Sequence, residues 1–189
     1  MSNTELNALV TQVRRDILRM VHKVNSGHPG GSLGCTEFLV ALYSKVMNHK
    51  TEFDMNGINE DLFFLSNGHI SPVIYSVLAR SGYFPVVELN TFRLLDSRLQ
   101  GHPTTHEGLP GIRIASGSLG QGMSVAIGAA LSKKLNELTA KNCEFTRAKC
   151  AITSPVSSRK KTSQGSPSSV SPWSTAIERP DRPRISETL

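Results

Sequence analysis

At 189 residues, with 38% apolar and 19% charged side chains, the chain can bury one ordinary core but not two, and its lean composition implies that part of it does not fold. The net charge of +6 would permit a nucleic-acid partner, yet nine of the Lys and Arg residues lie beyond Asn136, and residues 1–136 carry no basic stripe interleaved with aromatics. Cys35, Cys143 and Cys150 are odd in number and lack C-x-x-C spacing, which argues against a disulfide framework and a zinc site, and no apolar run is long enough for a signal peptide or a membrane span; a reduced, cytoplasmic, membrane-free setting is expected.

The first expected helix covers residues 4–24, where Leu6, Leu9, Val10, Val13, Ile17, Met20, Val21 and Val24 recur at helical spacing and charged residues occupy the other faces. Ser2 and Glu5 can form a capping box, and Gly27 can end the helix in a left-handed conformation. The stretch from Ser26 to Gly34, SGHPGGSLG, then has four glycines and a proline around His28 and is expected to stay irregular. A histidine held in so constrained a segment is an uncommon choice for a plain connection and makes His28 a candidate site residue. Thr36 is expected to cap a second helix to about Met47, with Phe38, Leu39, Leu42, Tyr43 and Val46 on its buried side.

Leu62-Phe63-Phe64-Leu65 is a short, continuous apolar run that suits a strand buried on both faces of a parallel sheet. It stops at Ser66-Asn67-Gly68-His69, and Pro72 suits the first turn of a helix over Ser71 to Ala79. In open α/β sheets ligands gather at the carboxyl ends of strands, which is where His69 falls. A short helix near Val87 to Leu95 is expected before Gly101-His102-Pro103, followed by a strand over Gly111 to Ala115. Gly117 to Gly122 holds three glycines, and Met123 to Leu135 returns to helix-forming residues. Such a strand, glycine loop and helix lets a ligand approach the backbone at a helix start, although glycine turns of this kind also occur for purely structural reasons. His28, His69 and His102 thus share one local chemistry at the ends of regular elements, as a common cleft would require. Imidazoles there suit a phosphate-bearing ligand and proton transfer.

Five segments together resemble the N-terminal, diphosphate-binding half of transketolase: Ser26 to Gly34, Leu65 to Tyr75 (LSNGHISPVIY), Gly82 to Pro85 (GYFP), Gly101 to Pro103 (GHP) and Ser116 to Gly128 (SGSLGQGMSVAIG). They stand in the family's order over residues 1 to about 135, and the LSNGH segment is closer to transketolase than to deoxyxylulose-phosphate synthase. Immediate entry into the first helix is similar to split transketolases, whose two halves are separate chains. The resemblance implies an α/β fold with a parallel sheet flanked by helices, and transfer of a two-carbon ketol unit between sugar phosphates with thiamine diphosphate and Mg2+, in a dimeric family. It implies that His28, His69 and His102 line the substrate channel, that His69 also lies near the diphosphate, and that Gly117, Ser118 and Leu119 contact the cofactor's rings. The activating glutamate would come from the C-terminal half on a partner subunit.

The resemblance breaks after Leu135. The family continues into a buried strand ending in Gly-Asp-Gly and, further on, an Asn, whose side chains hold the metal; neither Gly-Asp-Gly nor such a strand is expected here, so this chain is assigned no metal ligand. Ser-, Pro- and Arg/Lys-rich text fills residues 137–189 instead, a composition expected to be disordered, and the partial domain is therefore bounded at Asn136. The abrupt change between Lys134 and Lys141 suggests a shifted reading frame or a broken gene. Three functional readings follow: an N-terminal transketolase subunit that is inactive alone, an inactive fragment, or a non-enzymatic binding protein with a basic tail.

Overall fold

The computed structural model describes residues 1–139 and 148–151, all within one compact unit, Met1–Pro155. Side chains are described to Asn136. The expected disorder of the tail and the suspected frame change after Leu135 fall largely on residues outside this set, but within it the last helix runs to Thr139 and Ala148–Ala151 form a strand where the sequence led to none, because their backbone finds a parallel partner in Leu62–Leu65.

Helix α1 (Asn3–Val24) begins with the capping box: the Glu5 amide donates to Ser2 Oγ and the Ser2 amide to Glu5 Oε2. Its end differs from expectation. Asn25, not Gly27, takes the left-handed position (φ 48°), with the Asn25 amide bonded to the His22 carbonyl and the Ser26 amide to that of Val21. Asparagine tolerates this backbone, and the paired bonds satisfy carbonyls left over by the last turn. Pro29–Gly34, expected to be irregular, forms a short helix, α2, because Pro29 is pre-set for a first turn that needs no N–H. Its glycine at 31 lets α2 lie close to the next layer, since a Cβ there would stand 2.8 Å from Ile70 Cγ2.

Helix α3 (Thr36–Ala41) passes into a π-helical turn, Leu42–Val46, closed by the Met47 amide on the Leu42 carbonyl. Thr36 does not cap it; its hydroxyl donates to the Ser32 carbonyl inside the protein. Leu39, Val40, Leu42 and Tyr43 are buried, but Phe38 and Val46, expected inside, are exposed. The π-turn rotates Val46 off the i, i+4 stripe on which its expectation rested, whereas Phe38, on the α-helical turn before it, faces outward beside that stripe.

Strand β1 (Leu62–Leu65) is buried at every residue. Phe63 and Leu65 join the main core with α1, α3 and α4 (Ser71–Arg80), while Leu62 and Phe64 meet Ala126 on the opposite face. β1 pairs in parallel with β2 (Ala148–Ala151), Leu62 opposite Ala148. α4 is buried from Ser71 to Ala79. A partly buried ion pair ties it to α1: Arg80 donates to both Asp16 oxygens at 2.6 and 3.0 Å, and Ser76 Oγ donates to Asp16 at 2.8 Å.

Two further expectations change. Val86–Thr91 is a 3-10 helix that gives way to turns, leaving Leu95 93% exposed. Gly111 to Ala115 forms no strand: the Ile112 amide turns back to the Leu109 carbonyl, and Gly111, at φ 92°, packs where a Cβ would be 2.5 Å from Leu78 Cδ2. Alternating side chains alone do not make a ladder; a neighbouring backbone must be in register, and here the segment's bonds go to turns. α5 (Gln121–Thr139) starts two residues before the expected helix and runs past Leu135. Its Leu131 and Leu135, together with Met123 and Ile127, are all about half exposed. Among the described residues no helix is long and apolar enough to cross a membrane.

Candidate functional site

The turn Ser66-Asn67-Gly68-His69 leaves β1 at its carboxyl end and collects three other loops. The glycine loop docks first: the Gly68 amide donates to the Ser116 carbonyl at 3.1 Å and the Gly120 amide to the Ser66 carbonyl at 3.1 Å. Gly68 is obligatory for that approach, because a Cβ would lie 2.2 Å from the Ser116 carbonyl oxygen. Gly122 permits a second close approach at the start of α5, where a Cβ would meet Ser66 Cα at 2.8 Å. The His102 loop is tied to α4 by Ser71 Oγ on the Gly101 carbonyl (2.7 Å) and Tyr75 Oη on that of Gln100 (2.8 Å), and the Ser116 amide donates to the Pro103 carbonyl. The His28 loop arrives through α2, with Gly31 against Ile70.

His28 and His69 meet edge to face, ring centroids 5.1 Å apart. Partial burial holds the His69 imidazole below its ordinary pKa, and the charges that His28 and His102 carry when protonated push it the same way. His69 therefore stays neutral to lower pH than a free histidine, with one ring nitrogen able to accept and one to donate. His28 and His102 lie on the exposed side. An open cleft of about 670 Å³ adjoins His102, with Ser26, Arg93, Thr104 and Glu107 in its wall.

Gly117, Ser118 and Leu119 are exposed, and a Cβ added to Gly117 or Gly120 meets nothing within 4 Å. Beneath them, the hydroxyls of Ser66 and Ser116 are buried without a hydrogen-bond partner. A buried polar group without a partner is costly and calls for a donor or acceptor that the chain itself does not supply. No sequence signal singles out Ser66, whose hydroxyl becomes notable only once the fold buries it. Among the described residues, no three His, Cys, Asp or Glu side chains converge as metal ligands would.

A turn at the carboxyl end of a buried strand thus carries two touching imidazoles and a docked glycine loop, the kind of place where ligands gather in folds that combine strands and helices. Comparison with known proteins narrows this. Residues 6–150 match the family model described as "Transketolase, thiamine diphosphate binding domain", so the chain belongs to the transketolase family and carries that domain. The match reaches past Asn136. The chain is 40% identical over 132 residues to transketolase 1 of Saccharomyces cerevisiae, covering 69% of this chain and 19% of the relative, and 37% identical over 127 residues to transketolase 2 of Escherichia coli, covering 67% and 19%. The crystal structure of a Pichia stipitis transketolase in complex with sedoheptulose-7-phosphate superposes with a TM-score of 0.66 at 37% identity, over 73% of this chain and 20% of that one. This chain thus spans about a fifth of the length of the relatives it matches.

Proposed function

We propose that the chain is the N-terminal, cofactor-binding portion of an enzyme that transfers two-carbon ketol units between sugar phosphates, and that it is inactive alone. The observation that carries this reading is the convergence of His28, His69 and the Gly117–Leu119 loop on the carboxyl end of β1, with His102 beside them. The sugar-phosphate complex of the Pichia stipitis relative supports the substrate class.

The residues present fit thiamine diphosphate. Exposed backbone at Gly117 and Ser118 has open space beside it, Leu119 offers an apolar side chain to a ring, and the unpartnered Ser66 and Ser116 hydroxyls lie under the same loop. Bound there, the cofactor supplies a nucleophilic carbon and an electron sink for breaking a carbon–carbon bond. Neutral His69 donates a hydrogen bond to the diphosphate, while His28 and His102 hydrogen-bond the sugar hydroxyls and relay protons at the cleft mouth. The described residues offer no cluster of oxygen ligands for the Mg2+ that the family resemblance implies, and the activating glutamate would come from a C-terminal transketolase chain or domain in a dimeric assembly. The wider parallel sheet flanked by helices belongs to that whole assembly, to which β1, β2 and α5 contribute, and a cytoplasmic location goes with the reading.

Isothermal titration of the full chain with thiamine diphosphate and MgCl2, with and without a C-terminal transketolase chain, tests it. Micromolar binding in the presence of that chain supports the reading; no heat in either mixture overturns it in favour of an inactive fragment. That second reading is favoured by one observation, the lack of Gly-Asp-Gly anywhere in the sequence. Sequencing the locus and translating the alternative frames beyond Leu135 decides whether a shifted frame hides it. The basic-tail alternative predicts retention on nucleic acid at physiological salt. Limited proteolysis with mass measurement reads whether the folded region ends near Asn136.

A further inference from the structure

Resting on the function proposed above, one more residue belongs to the site. Arg93 follows the 3-10 helix and holds a left-handed backbone, φ 57°, that an arginine adopts only when its surroundings over-determine it. Its amide donates to the Leu99 carbonyl at 2.9 Å, closing the loop that leads to Gly101. Its guanidinium reaches the other way: Nη1 donates to Ser26 Oγ at 2.7 Å, two residues before His28. The same guanidinium lies flat against Gly101, where a Cβ would stand 2.8 Å from Cζ and Nη2 and 3.0 Å from Nε. Phe92 backs it, with its ring centroid 5.5 Å from Cζ. Arg93 Nε is buried without a partner, so the group is held by position more than by saturation of its donors. We propose that Arg93 is a positioning residue, a strut that sets the separation of the His28 loop and the His102 loop across His69.

The geometry explains three otherwise unrelated features together. Residue 101 must be glycine because the guanidinium occupies the space of a side chain, Ser26 has a fixed donor, and Arg93 keeps a strained backbone. A lysine at 93 would keep the charge but could not form the planar fork that touches both loops.

The test follows the histidines themselves and needs no cofactor. His69 would be titrated by long-range 1H–15N NMR in the full chain, as wild type and as Arg93→Lys, Gly101→Ala and Ser26→Ala; the charged groups that bear on His69 are His28 and His102. Arg93→Lys and Gly101→Ala preserve the positive charge, so a change reports geometry. The strut predicts that both raise the proton affinity of His69 by about threefold or more, as its neighbours move off and water enters. Ser26→Ala, the mildest change, should move it the same way by less, and stands in if either other variant fails to fold by circular dichroism. An unchanged His69 titration in folded variants overturns the strut. If the titration moves but thiamine diphosphate never binds, the functional reading falls and the strut stands; if binding is seen and the titration is unmoved, the reverse holds.

Discussion

The two faces of β1 are built from the same four residues and are covered in different ways. Phe63 and Leu65 enter a core with α1, α3 and α4 in which Val13, Ile17, Leu39, Val73 and Leu78 are fully buried. Leu62 and Phe64 meet only Ala126 as a buried apolar partner among the described residues, with Ile114, Val125 and Ala129 partly covered beside it. Beyond that thin layer α5 turns Met123, Ile127, Leu131 and Leu135 outward. Among the described residues, therefore, the apolar packing is heavier on one side of the strand, and the site sits at that strand's carboxyl end.

The sharpest break of this contrast is to truncate the two phenylalanines in turn. Phe63→Ala should cost about 3–5 kcal/mol in urea denaturation and Phe64→Ala distinctly less, since a thin layer can collapse around the gap. Equal losses would mean the α5 side is packed as firmly as the other. Of comparable size is Arg113→Ala. Arg113 and Glu60 form a pair with 5% and 2% of their side chains exposed, bonded at 2.7 Å, and removing one partner strands a buried charge at about 3–5 kcal/mol. Glu60→Gln should be milder, because a neutral amide can stay. If Arg113→Ala unfolds at the wild-type denaturant concentration, the pair does not hold the residue 48–61 loop.

Gly68→Ala acts at the junction of core and site. Its methyl group would lie 2.2 Å from a backbone oxygen, so the glycine loop must move; a stability loss of about 1–3 kcal/mol is expected, together with loss of thiamine diphosphate binding. Retained binding would show that the docked loop is not the cofactor seat. A smaller effect comes from pH. Because burial and its neighbours keep the folded-state pKa of His69 below the ordinary imidazole value of 6.5, the unfolded chain binds the proton first, and stability falls as pH drops from 6.5 through the folded value. His69→Gln should flatten that region of the stability profile, as read by thermal melts between neutral pH and about pH 5. Least of all, Ile127→Lys should change stability by no more than about 0.5 kcal/mol, yet it should reduce self-association in sedimentation if the α5 stripe is a sticky surface.

Elements whose signals are local were legible. The capping box of α1, the apolar run of β1 and Pro72 at the start of α4 each state their structure in a few adjacent residues, and each is found. Gly111 to Ala115 misleads because alternation marks a strand only if another backbone pairs with it. Val46 misleads because a π-turn is invisible to a 3.6-residue period. In the site, the histidines and Gly117 to Leu119 stood out by their glycine-rich surroundings. Ser66 and Arg93 did not, since a buried, unpartnered hydroxyl and a left-handed arginine are properties of neighbours brought from elsewhere in the chain.

By itself the sequence determined which family motifs are present, where the buried strand lies and which imidazoles are candidates, because these follow from local composition and spacing. Only the tertiary structure decided that Gly68 must be glycine, that His28 and His69 touch, and that Arg93 spans the loops carrying His28 and His102. Those facts depend on distances of a few ångströms between residues far apart in the chain, and close packing, which no linear pattern encodes, is what sets them.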